Sequence, residues 1–366
     1  MALVSRNRLK ELLDGFPDLK IAVAGDFFLD KWLEIDRSLD EPSVETGLTA
    51  YQVVQKRVYA GASGTVLSNL AALDVGRLFA LGFTGDDGEG FELRRCLSSM
   101  GVNMDSLITS GEVQTPTYTK PVFRSQGPGG KKFLEESNRL DHKNVLPTPA
   151  DIEKRIIASL WEIAPKVDAI IALDQLVGEI YGVITPAVRG ELAKIAEQFP
   201  SLVMYADSRA FISAFRNMAI KCNNLEAEKL FRGPAAGSFA GSPSGSPGGS
   251  TPSLEETGEC LLGLSKNSRK EVFISCGEKG VLVKGDDGKP FLVPTIPQHG
   301  EIDIVGAGDA CSSGIVTTLC RGGTPVEAAF VGNLTASITI QVIGATGTAS
   351  RDQILSRYDE YYGDQN

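Results

Sequence analysis

Histidine is almost missing from this chain: His142 and His299 are the only two in 366 residues. A histidine-centred mechanism therefore has little material, and no His-x-x-His pair occurs. The six cysteines (Cys96, Cys222, Cys260, Cys276, Cys311 and Cys320) are widely scattered, with no Cys-x-x-Cys among them. That spacing excludes a zinc-ribbon pattern and reads as reduced, mostly buried thiols of a cytoplasmic protein. No apolar run approaches the roughly 18–20 residues that span a bilayer, which argues against a membrane protein. The first twenty residues, MALVSRNRLKELLDGFPDLK, mix acids with apolar positions and read as an amphipathic helix, not a signal peptide. Positive charge is also in deficit. Lys and Arg total 36 against 46 Asp and Glu, a net charge of -10, which argues against nucleic acid or a membrane surface as a partner.

What is present is the alternation of an α/β protein. Hydrophobic residues make up 42% of the chain, enough for a sizeable core. LKIAVAG (19–25) is a short apolar run closed by Gly25-Asp26, the mark of a buried strand with a turn at its carboxyl end. Arg77 to Thr84 repeats that pattern, and from residue 149 helix and strand alternate regularly. Asp151 to Ala164 and Thr185 to Phe199 read as helices, Asp168 to Leu173 and Leu202 to Ala206 as strands. The pattern predicts one domain over 1–366, a mostly parallel sheet with helices on both faces. Two stretches break the rhythm. Residues 31–60 are rich in β-branched and aromatic residues with interspersed charge, which predicts a small exposed β lid. Residues 232–252 are Gly, Ser and Pro with almost no large apolar group, which predicts a flexible insertion within the domain.

The stretch that carries chemistry is Asp303-Ile304-Val305-Gly306-Ala307-Gly308-Asp309, followed by small and apolar residues to about Cys320. A loop that turns into a helix near Ala307 would leave its first backbone N–H groups without internal partners at the positive end of the dipole. Gly306 and Gly308 would let a phosphate approach those groups closely. Asp309 in the first turn would then stand where a carboxylate can take a proton from an attacking hydroxyl. Taken alone, the tetrapeptide reads equally well as a helix start with an acidic cap.

Together with Asp303 and the small-residue helix, the stretch resembles the Asp-Thr-x-Gly-Ala-Gly-Asp signature of the ribokinase-like (PfkB) carbohydrate kinases. The resemblance implies a ribokinase-like fold, Asp309 as catalytic base and Gly306, Ala307 and Gly308 as an anion hole. It implies ATP and magnesium, with potassium as a further option at Asp303. Other segments fit in the same order. GDFFLDKW resembles the opening Gly-Asp-x-x-Leu-Asp, in which Asp30 would bind sugar hydroxyls. Ala60 to Ala71 resembles the sugar-contacting Gly-Gly-x-x-Asn-x-Ala motif, with Ala62 and Thr65 standing for Gly and Asn. It implies substrate contacts at Gly61, Gly64 and Asn69. TYTKPVF followed by NRLD resembles heptose-phosphate kinases, which implies that Lys120 and Arg139 meet an anionic substrate. As single residues, both also read as ordinary exposed strand charges.

Asn223 and Glu226 match the Asn-x-x-Glu element associated with magnesium and phosphate. Gly277, Lys279 and Gly280 match a turn near the nucleotide, and Gly347 belongs to a loop bordering it. The expectation is an ATP-dependent kinase for a sugar or sugar phosphate, forming a homodimer through the lid. The alternatives are another acceptor of the family (ribose, fructose phosphate, a keto-sugar acid, a nucleoside) or a weakly active sugar or nucleotide sensor.

Overall fold

The computed structural model describes residues 3–126, 132–176, 178, 180–232, 252–298 and 300–363. The segment read as an insertion, 232–252, lies almost wholly outside them, as does the tip of the 115–140 hairpin. The chain opens with helix α1 (Arg6–Asp14), capped by the Ser5 hydroxyl, then strand β1 (Lys20–Gly25) and the long strand β2 (Phe27–Ile35). A short pair, β3 (Glu41–Pro42) and β4 (Thr49–Ala50), leads to β5 (Val53–Ala62) and helix α2 (Ser63–Ala72). Next come β6 (Arg77–Gly85), α3 (Gly88–Ser99), β7 (Asn103–Ser110), β8 (Thr117–Gln126), β9 (Lys132–Glu136) and β10 (Leu140–His142). The regular half follows: α4 (Ala150–Ile163), β11 (Ala169–Asp174), α5 (Pro186–Gln198), β12 (Val203–Ser208), β13 (Ala219–Asn223) and α6 (Asn224–Arg232). It continues with α7 (Leu254–Ser268), β14 (Val272–Ser275), β15 (Val281–Lys284), β16 (Pro290–Val293), α8 (Ala307–Cys320), α9 (Pro325–Thr339) and α10 (Arg351–Tyr362).

Nine strands form one sheet in the order β16-β15-β14-β13-β12-β11-β1-β6-β7, parallel from β14 to β7 and antiparallel at the β14–β15–β16 edge. Side chains alternate across a strand, so β1 feeds two cores. Ile21 and Val23 join one face with α1, α2, α8, α9 and α10, while Ala22 and Ala24 join the other with α4, α5 and α7. A near-continuous apolar run is what a strand covered on both faces requires.

The second sheet has the order β10-β8-β2-β5, with β9 added to β8. Residues 31–60 supply much of β2 and β5, but the sheet is larger than that segment, because residues 117–142 add three further strands. Asp30 is a residue of strand β2. Asp26 alone separates β1 from β2. Its backbone N–H donates to Leu173 O and its carbonyl accepts from Ser63 N. Its buried carboxylate accepts from the amides of Gln175 and Leu176 at one oxygen and of Val183 at the other (2.8 Å). Gly182 leaves room for this with a left-handed φ of 76°, since a Cβ there would lie 2.4 Å from Asp26 Oδ1.

Asp174 ends β11 beside this joint. It accepts from the Ser208 hydroxyl (2.7 Å) and faces Arg189 at 3.8 Å. Burial pushes Asp26 up to about 6, against the pull of its three amides. Burial, reinforced by the Asp26 charge, pushes Asp174 up to about 7. Both acids hold protons in the folded protein that the unfolded chain releases near its ordinary carboxylate range. Their stabilisation is therefore complete below that range and lost as pH rises through about 7. Asp174→Asn removes one of these titrations. Its urea midpoint relative to the parent should improve from about pH 5 to about pH 7.5, and a difference independent of pH would contradict the assignment.

Candidate active site

Helix α8 begins as its sequence requires. Gly306 is the N-cap in the left-handed region (φ 80°) and no side chain caps the turn. A Cβ on Gly306 would sit 2.5 Å from Thr346 Cγ2 and 3.6 Å from Thr65 Cγ2. The start of α8, the first turns of α2 and the 344–348 loop thus converge on one glycine. Asp303 holds this arrangement from below, accepting from Val305 N (3.0 Å) and Gly344 N (3.1 Å). Gly308 is exposed, and Asp309, third residue of the helix, is half-buried.

Asp309 stands among charges from three other elements. Burial pushes its carboxyl up to about 7; Asp207 and Asp30 add to the rise, while Lys221 and Arg209 oppose it. Asp207 and Arg209 come from the carboxyl end of β12, Lys221 from β13 and Asp30 from β2 of the second sheet. Parallel β11, β12, β13 and β14 all end at this edge, where open α/β sheets collect ligand groups. Lys221 Nζ donates to Asp207 Oδ2 at 2.6 Å. The Ser312 hydroxyl donates to the same oxygen at 3.3 Å and accepts from the Tyr205 hydroxyl at 2.9 Å.

Asp30 is raised above its usual range by burial, with Lys120 and Arg139 lowering it. Gly61 makes room for it, since a Cβ there would fall 2.8 Å from Asp30 Oδ1. Lys120 is 8% exposed, with its ammonium 4.6 Å from the Trp32 ring centroid and no ion pair among the described residues. Arg139 differs: it is bound to both oxygens of Asp141 and lies 4.0 Å over the Tyr118 ring. Its fork is already engaged, so Lys120 is the freer cation of the two.

The other expected residues divide. Asn223 and Glu226 form a reciprocal cap at the start of α6, each carboxamide or carboxylate oxygen accepting the other's amide at 2.8 Å. Burial raises Glu226 above its usual range. Asn223 pairs in register with Ser275, so the turn of Gly277, Lys279 and Gly280 follows at the same edge. Gly280 is fixed by close approach: a Cβ would lie 2.1 Å from Val293 O. Gly347 packs on the end of α9, where a Cβ would lie 2.4 Å from Thr339 O. Gly64 packs against Ala60 in the first turn of α2.

Asn69 is the deeply placed one. It lies six residues into α2, about 9 Å along the axis. It is fully buried, its amide donating to Thr65 O at 2.9 Å and its Oδ1 without a hydrogen-bond partner among the described residues. Thr65, one turn earlier, turns its methyl toward Gly306. Ala62, the residue just before α2, carries φ 52°, a conformation that favours glycine. Lys221, Arg209 and Thr346 were not singled out from the sequence. Lys221 had a visible signal, a lysine inside the apolar strand Ala219-Ile220-Lys221-Cys222.

Residues 192–352 match the model of the pfkB family carbohydrate kinases. Among curated proteins, the chain is 23% identical over 355 residues to the Bifunctional protein HldE of Citrifermentans bemidjiense, covering 96% of this chain and 66% of that one. It is 24% identical over 363 residues to the HldE of Geobacter metallireducens, covering 99% and 68%. The chain thus spans about two thirds of the length of these relatives. Its fold is similar to that of Arabidopsis thaliana ribokinase complexed with ribose and ATP, with a TM-score of 0.64 at 18% identity over 93% of this chain and 98% of that one. It is also similar to phosphofructokinase-2 of Escherichia coli in complex with substrates and products (TM-score 0.62, 16% identity, 94% and 99%). The family match takes in the glycine-capped start of α8 and Asp309 in its first turn, and the fold shared with these solved structures extends over more than nine tenths of the chain.

Proposed function

We propose that the protein transfers the γ-phosphoryl group of ATP to a hydroxyl of a phosphorylated sugar, with Asp309 as general base. The observation that carries this reading is the position of Asp309 beside the uncapped amides of α8, in surroundings that push its carboxyl up to about 7. A base is most useful when it titrates near the working pH. The acceptor hydroxyl gives its proton to Asp309 as its oxygen forms a bond to the γ-phosphorus. The bond from that phosphorus to the bridging oxygen breaks, and its electron pair leaves with ADP. The Gly306, Ala307 and Gly308 amides face the charge that spreads over the phosphoryl oxygens in flight.

Asp30 offers acceptor oxygens to sugar hydroxyls from the second sheet. Lys120, buried and without an ion pair among the described residues, suits an anionic group on the sugar. The resemblance of the GDFFLDKW and TYTKPVF segments makes a heptose phosphate the first acceptor to test, with ribose, fructose phosphate, a keto-sugar acid and a nucleoside as comparisons. Asn223 and Glu226 are hard oxygen donors at the ligand edge and suit magnesium, which takes one or two carboxylates together with nucleotide phosphates. When bound, the ion neutralises phosphate charge. The Asp303 oxygens already accept two amides, so potassium rests on the resemblance alone. The second sheet leaves β5 as an edge strand with Val53 and Val54 exposed, which suits pairing with a second copy of the chain.

Asp309→Asn keeps the size of the side chain and removes its basicity. Turnover should fall by about 10²–10⁴-fold, with calorimetric affinities for ATP and sugar near the parent's. Parental turnover in a coupled assay would sink the mechanism. In the parent, kcat/KM should fall as pH drops through about 7, because protonated Asp309 cannot accept a proton.

Lys120→Ala tests the acceptor. It should raise KM for the phosphorylated sugar by about tenfold or more and leave KM for ATP unchanged, the size expected for a lost hydrogen bond to a charged group. An unchanged sugar KM would point to a neutral acceptor.

A further inference from the structure

Lys221 is placed where its burial is hard to explain by stability. It lies on β13 between β12 and β14, and its side chain is 6% exposed. Burial alone would lower its affinity for a proton, yet the neighbouring Asp207 holds it well above the ordinary lysine value, so it stays charged. Removing two charges from water costs several kcal/mol per ion, and apolar replacements of such pairs are often neutral or stabilising. What the pair does achieve is position. Lys221 Nζ lies 3.5 Å from the point where a Cβ on Gly308 would be, so the ammonium sits against the exposed second residue of α8. Asp207 is itself held by Ser312, from the second turn of the same helix, and Ser312 by Tyr205. An ammonium has three N–H donors, and the bond to Asp207 uses one of them.

We propose that Lys221 is the cation that meets the phosphoryl group as it crosses from ATP to the acceptor, with Asp207 as its positioning residue. This rests on the kinase reading above. The helix start offers a partial charge of about +0.5; Lys221 adds a whole charge, a point-charge donor to phosphate oxygens. It forms and breaks no covalent bond. As the acceptor oxygen bonds to phosphorus and the bridging oxygen departs with its electron pair, Lys221 keeps one N–H on Asp207 and donates another to a phosphoryl oxygen. Its proton count is unchanged throughout, and the proton of the hydroxyl goes to Asp309.

Three variants test this: Lys221→Met, Lys221→Arg and the double variant Lys221→Met with Asp207→Asn. The single methionine leaves a buried carboxylate unpaired and can fail to fold; the double variant removes both charges and avoids that. Turnover of the double variant should fall by about 10²-fold or more, in line with the loss of one preorganised donor. Its KM for the acceptor should stay within about threefold, since the role proposed for Lys221 involves no bond to the sugar. Lys221→Arg, which keeps the charge, should recover part of the loss.

A binding arm needs no turnover. Calorimetry with ADP and with a non-hydrolysable ATP analogue, both with magnesium, should show the analogue weakened by about tenfold or more in the double variant and ADP unchanged. If the folded double variant keeps parental turnover, or loses ADP and the analogue equally, the pair is only structural and the proposal is overturned. If the parent phosphorylates no sugar, the kinase reading fails, while selective weakening of the analogue would still support Lys221 at the terminal phosphate.

Discussion

One carboxylate organises the meeting of the two sheets. Asp26 is the only residue between β1, an interior strand of the large sheet, and β2, an interior strand of the smaller one. Its two oxygens take three backbone amides from the 175–183 loop, while its own N–H and carbonyl tie β11 and α2 to the joint. A buried carboxylate is costly unless its lone pairs are filled, and here the filling groups are the backbone of the elements being joined. Asp30 follows four residues later on β2, so its distance from Asp309 is set by this joint. The aromatic contact of Phe28 with Tyr118, with Leu176 against both, closes the same corner with apolar surface.

The site gathers charge where charge is expensive. Asp174, Asp207, Glu226 and Asp309 all lie at the carboxyl edge of the sheet, with Lys221, Arg189 and Arg209 among them. Each acid is surrounded differently, and the consequences diverge. Asp207 is paired with an ammonium at 2.6 Å. Glu226 is locked into the cap of α6. Among the described residues no hydrogen bond or ion pair engages the Asp309 carboxylate, and burial, then the neighbouring Asp207 charge, push it up. Burial raises Asp174, Glu226 and Asp309 above the ordinary carboxylate range, and the neighbouring charges add to or oppose that rise differently in each.

Lys120 and Arg139 show how tertiary contacts sort residues that look equivalent in a strand. Both lie near Asp30 and both are cations on the second sheet. Arg139 is spent on Asp141 two residues away, a partner that its own strand supplies. Lys120 rests on Trp32 from β2, which holds the ammonium without neutralising it. The aromatic neighbour lies 88 residues earlier in the chain and leaves that charge without an ion pair among the described residues.

Much of the architecture was legible in the order of residues. The alternating apolar runs from residue 149 specify parallel strands covered on both faces, because such strands need a continuous apolar sequence. Gly306, Gly308 and Asp309 specify the start of α8, because only glycine adopts the left-handed N-cap without strain. The 31–60 segment revealed a sheet, but not its extent, since β8 joins β2 from 88 residues further along the chain and brings β9 and β10 with it. Asn69 was legible as part of a motif, but its burial was not, since that depends on what packs against α2. Lys221 and Asp207 belong to different strands and meet only through the β12–β13 register. Local sequence determines which residues can turn, cap and alternate; the charge each side chain meets depends on contacts between distant segments, and those exist only in the folded chain.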